Sequence, residues 1–267
     1  MDAVVSQLVE REVATCVFPS KCDMDTGAAI TSPVVKRLLE AGGYEAARGF
    51  VDGMLERYPI PNLEGPDPLE GFTDEEAEEN PVIASCIFHT LLEALVASGL
   101  IMEAHAFVDQ YAEALDERTA WGYIHLAWLS KRTEDIAHAF QHIELMDDGS
   151  DKAHALGHFA TIFRHAQARE RLKILAEGLV EAEDWLSASS AYIELIHLDP
   201  RTVDWTKALR VLTAMDDRAR LIFGASYASK LINRMGMKPA QAFVLRLPAG
   251  TAKQAIQREL RIRERKM

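Results

Sequence analysis

Six of the nine histidines in this chain fall in one stretch: His125, His138, His142, His154, His158 and His165. Imidazole is a common transition-metal ligand, and two of them four residues apart on a helix project from one face. His138 and His142 have that spacing, as do His154 and His158. The pairs are also placed symmetrically about Asp148, so an antiparallel hairpin turning there would set His142 level with His154 and His138 level with His158. That would suit zinc or a similar ion. Helical phase argues otherwise. The apolar stripe of 133–146 is Ile136, Phe140 and Ile143, that of 151–164 is Leu156, Phe159 and Phe163, and in both the histidines point elsewhere. The pairs are therefore expected not to share an ion, and neither a metal nor a cofactor is assigned.

No other constellation supplies a reaction. A phosphate loop, a Gly-x-Ser-x-Gly elbow and a His-Glu-x-x-His helix are all absent from the sequence. Asp23, Asp25 and Gly27 resemble the start of a calcium loop, but Val34 stands where the closing carboxylate is needed. Asp147 and Asp148, and Asp216 and Asp217, sit in expected turns and read as helix caps. Cys16, Cys22 and Cys86 are too few and too scattered for a disulfide framework, and Cys16 and Cys22 read as small apolar residues at a helix end. Trp121, Trp128, Trp185 and Trp205 lie on apolar helical stripes and are expected in the core, with Tyr123 and Tyr227 unassigned. With no catalytic residue to name, the chain reads as a non-enzymatic protein.

The elements that would position these side chains are helices. Apolar clusters recur at helical spacing and the alternation of half-buried strands is missing, so the fold class is all-α. A first helix is expected over 2–15. A second starts at a Thr31 or Ser32 cap with Pro33 in its first turn and runs to 41, and its partner covers 44–58. Further helices are expected over 82–98, 100–115, 118–131, 133–146, 151–164, 166–181, 183–198, 201–214, 217–235, 239–247 and 251–265, with connections short enough to force antiparallel neighbours. Between them, 59–81 holds Pro59, Pro61, Pro66, Pro68 and Pro81 among many Asp and Glu, without a Lys or Arg. It reads as an acidic insertion whose last part opens the next helix with favourable charge. The organisation is then 1–58, N-terminal helices with a first helix pair; 59–81, acidic Pro-rich insertion; 82–250, a helical stack; and 251–267, a basic capping helix or tail.

A formal charge of −12 sets up a field that repels phosphate backbones and disfavours general nucleic-acid binding. The first residues lack the basic-then-apolar pattern of a secretory signal, and no bilayer-spanning run of about 20 apolar residues is evident, so a cytoplasmic protein with no membrane contact is expected.

Two segments echo one another. Val35, Leu38 and Leu39 lead to Gly42, Tyr44 and Ala47; Leu91, Leu92, Leu95 and Val96 lead to Gly99, Ile101 and Ala104. In each, the glycine is expected to take the positive φ that ends one helix, and the alanine to let the next helix approach closely. The pattern resembles tetratricopeptide repeats and, more loosely, pentatricopeptide repeats. Trp121 and Ala137 suit a third unit, and Trp185, Ala188, Ser189, Tyr192, Trp205 and Ala208 a later one, although Arg201 stands where an alanine is expected. The match is poor over 152–180, keeps little beyond Gly236 in the last unit, and covers roughly two thirds of the chain at a period of about 31 to 37 residues. The resemblance implies an α-solenoid of stacked antiparallel helix pairs, with a concave face lined by the first helix of each pair and used to bind proteins or peptides. On that basis His125, His154, His158, Ser190 and Glu194 are the candidate groove residues. The alternative partner is nucleic acid, through the basic residues Lys253, Arg258, Arg261, Arg263, Arg265 and Lys266; a metal-dependent enzyme built on the histidines ranks third.

Overall fold

The structure, a computed structural model, describes residues 2–19, 22–60, 73–112 and 119–266. Among the described residues there are thirteen helices and no strand, so the chain is all-α. They are α1 Ala3–Thr15, α2 Met24–Arg57, α3 Asp74–Ala97, α4 Ile101–Tyr111, α5 Thr119–Ser130, α6 Thr133–Leu145, α7 Ser150–Ile162, α8 Ala166–Glu181, α9 Trp185–Leu198, α10 Trp205–Ala214, α11 Asp217–Met235, α12 Met237–Arg246 and α13 Thr251–Glu264. The chain divides into two compact units, Met1–Ala139 and Phe140–Met267.

In the first unit α1 packs on α2, α2 on α3, and α3 on both α4 and α5. The Asp23 carboxylate accepts from the Thr26 amide, so α2 starts seven residues before the Thr31 cap expected from sequence. Thr31 is instead buried inside the helix, where its hydroxyl donates to the Gly27 carbonyl and lies 2.9 Å from the Thr90 hydroxyl. The break in α2 falls at Gly43 (φ 63°), one residue later than expected. Gly42 serves a different purpose: a Cβ there would come within 2.5 Å of Val5 Cγ1, so the glycine lets α1 close on α2. Gly99 does take positive φ, at 74°.

α3 begins at Asp74, not at Val82. Thr73 and Glu76 form a reciprocal capping box, which is why the acidic residues end as helix rather than loop. Residues 61–72 of the acidic segment lie outside the described residues. The stretch Glu79–Ala97 has a mean hydropathy of 1.5, long and apolar enough on composition to cross a bilayer, contrary to the sequence reading. Here Ile83, Ile87, Phe88, Leu91, Leu92 and Leu95 are buried in the unit's own core.

Ala47 and Ala104 are fully buried, as close helix approach requires, whereas Ala137 is exposed. Leucine at either buried position should lower stability by roughly 1–3 kcal/mol, because a packed interface has no room for three more carbons. Urea unfolding of the two variants checks this, and unchanged midpoints in both would contradict it.

In the second unit α7 packs on α9, α9 on α11 and α11 on α13; α8 sits against α7 and α9, α10 against α9 and α11, and α12 against α11 and α13. The odd helices start at residues 150, 185, 217 and 251, which are 32 to 35 apart. A shared device fixes three of these starts. Lys152 Nζ donates to the carbonyls of Glu144 and Met146, Arg220 to those of Leu212, Thr213 and Met215, and Lys253 Nζ to those of Leu245 and Leu247. Each cation thus closes the carboxyl end of the helix before it, where the orphan carbonyls and the dipole favour positive charge. At the corresponding places on α9 stand Ser187 and Ala188, neither of them a cation, and the device is missing there.

The tryptophans depart from expectation. Trp128 is 48% exposed and the other three are half-buried, while Tyr123, Tyr192 and Tyr227 fill the interior. On α5, apolar nearly all round, sequence phase does not say which side faces in.

Candidate ligand-binding face

Helix α7 is buried or half-buried except for one stripe, Asp151, His154, His158 and Thr161, at the three- and four-residue steps of a single helix face. Its neighbour α9 approaches closely because α7 carries Gly157. A Cβ at that position would lie 2.6 Å from both Cβ and Cγ of Glu194. Glu194 therefore lies along the seam between the two helices with its side chain only 15% exposed, and His154 Nε2 is 3.8 Å from its Oε1. Leu186, Ser190 and His197 continue the α9 stripe at helical spacing.

Burial pushes the Glu194 carboxyl above the ordinary range, opposed by the positive charges of His154 and of Lys230 on α11. Burial likewise lowers His197, helped by Lys230 and Arg234. The face thus combines a half-sheltered carboxylate with imidazoles and two cations supplied by three successive packed helices. It offers polar anchors at fixed spacing to a ligand laid across the helices.

Of the residues singled out from sequence, His154, His158, Ser190 and Glu194 lie on this face. Ser190 is buried and its hydroxyl turns back to the Leu186 carbonyl, so it contributes shape rather than a free hydroxyl. His125 belongs to the first unit, on α5, with its ring 4.4 Å from that of His89 and 5.7 Å from that of Trp128. His138 is not turned outward as the stripe reading required: its ring packs at 4.4 Å on Tyr123 and 5.3 Å on His105. His165 caps α8 by accepting from the Ala168 amide. Among the described residues no group of three or more His, Cys, Asp or Glu is arranged to hold a metal ion.

The basic residues of α13 separate into different uses. Lys253 is consumed in closing α12, and Arg263 pairs with Glu259 at 2.5 Å and lies near the Ser229 hydroxyl. Arg258, Arg261 and Arg265 line an exposed groove with Gln254, Gln257 and Ile262, and Lys266 is exposed beyond the helix. The segment is a helix packed on α11 and α12, not a free tail. His197, Lys230 and Arg234 were passed over in the sequence, although His197 follows Glu194 by one turn and the two cations stand four apart.

Two further hollows flank the helices. One of about 580 Å³ has Glu144, Arg171 and Ile174 on its wall, and one of about 560 Å³ in the first unit runs between Lys36, Leu39, Thr90 and Ala94. The chain matches no family model, no curated protein and no solved structure.

Proposed function

We propose that this chain is a non-enzymatic, tetratricopeptide-like helical-repeat scaffold that binds a protein or peptide partner across α7, α9 and α11. The observation that carries the reading is the second unit's regular succession of helices, whose odd members pack in turn and start 32 to 35 residues apart. A stack of that period buries a continuous core and leaves one side of every first helix for a ligand. In this unit that side carries His154, His158, Glu194 and His197 with Lys230 and Arg234. The cationic closures at Lys152, Arg220 and Lys253 support the same register.

The reading is tested by substitution once the partner has been captured from the cell of origin. The His154→Ala/His158→Ala variant is expected to bind about tenfold more weakly, as anchor side chains at an interface do, with little change in stability. Gln167→Ala/Ile174→Ala, on exposed positions of α8, should bind like the parent protein. Equal affinity in the two double variants would contradict the assignment of the face.

A further inference from the structure

The last helix carries a charge pattern opposite to that of the chain as a whole. Gln254, Arg258, Arg261 and Arg265 recur at helical steps along one exposed side of α13, around a groove of about 500 Å³ that also takes in Gln257 and Ile262. The two acidic residues in this part of the helix are engaged elsewhere: Glu259 holds Arg263, and Glu264 accepts from Gln241 on α12. Among the described residues no carboxylate pairs with Arg258, Arg261 or Arg265, although the chain has an excess of twelve negative charges. A guanidinium row of this kind favours a run of carboxylates, since each planar fork donates to two carboxylate oxygens at once.

The sequence supplies a run of carboxylates with no competing cation. Residues 64–75 contain Glu64, Asp67, Glu70, Asp74 and Glu75 and not one Lys or Arg. We propose that the arginine row of α13 is a self-association surface that receives the acidic segment of a second copy of this chain. Each contact is solvent-exposed and weak alone, so the association depends on several acting together and on low ionic strength. It does not use the α7–α9–α11 face and stands or falls separately from the partner-binding proposal.

Sedimentation of the full chain across a concentration series tests it. The expected result is concentration-dependent association that weakens about tenfold or more when NaCl is raised from about 0.05 to about 0.5 M. Arg258→Glu/Arg261→Glu/Arg265→Glu should abolish association, as should Glu64→Lys/Asp67→Lys/Glu70→Lys. An equimolar mixture of the two charge-reversed proteins should associate again, a rescue that mere unfolding of either variant would not produce. A chain that stays monomeric at every concentration and salt would overturn the proposal. So would arginine-dependent binding of a single-stranded oligonucleotide with no self-association, which would make the row a phosphate-binding surface.

Discussion

Replacing Gly157 with leucine should cost roughly 3 kcal/mol of stability, the upper end of what overpacking produces. The position is buried in the middle of α7, and even a single added carbon would stand 2.6 Å from Glu194 Cβ and Cγ. Cβ is bonded directly to the α9 backbone, so rotation of Glu194 moves Cγ but leaves Cβ in the way, and the two helices must move apart. Alanine should cost less, because it returns up to about 1 kcal/mol of helix propensity relative to glycine. Chemical denaturation of both variants gives the comparison. A leucine variant as stable as the parent would show that α7 and α9 do not meet at this seam.

A comparable loss is expected from His105→Leu in the first unit. Asp135 is only 2% exposed; one carboxylate oxygen lies 2.8 Å from His105 Nε2, and Oδ2 is buried without a hydrogen-bond partner. Removing the imidazole leaves both oxygens unpartnered in the interior, which costs about 1–3 kcal/mol and more while the group is charged. Adding Asp135→Leu removes the stranded carboxylate, so the double variant should recover most of the loss. If the double variant is instead as unstable as the sum of the two single ones, the pair is not coupled and the account of this contact fails.

Much of the helical layout is legible in the sequence, because side-chain caps and glycines mark the ends. Asp184 and Asp216 each accept from an amide of the first turn they precede, and Gly236 ends α11 at φ 88°, whereas α10 starts at Trp205 behind an Asp204 cap, four residues later than the expected 201. Those signals act over a few residues and do not depend on the rest of the fold. What sequence misses is decided by distant neighbours. Pro33 reads as a first-turn residue and Pro81 as the last residue of the acidic insertion, yet both lie inside helices begun earlier by Asp23 and by the Thr73–Glu76 box. His138 turns toward Tyr123 because α6 also buries Asp135 and Ala139, a stripe containing a charged residue that apolar periodicity does not count.

The candidate face was partly legible in the same way. His154, His158 and Glu194 follow from helical phase, but the seam that shelters Glu194 depends on Gly157, which reads in sequence only as a weak spot in a helix. Lys230 and Arg234 reach the same electrostatic neighbourhood only through the packing of α9 on α11.

The most direct test of partner binding on this face is photo-crosslinking in the cell of origin, with a photoreactive residue placed singly at His154, His158, His197, Gln167 or Ile174. The account predicts that the first three positions capture one and the same polypeptide and that the two α8 positions do not. Capture of that polypeptide from α8 alone, or of nothing from all three positions on α7 and α9, would contradict it.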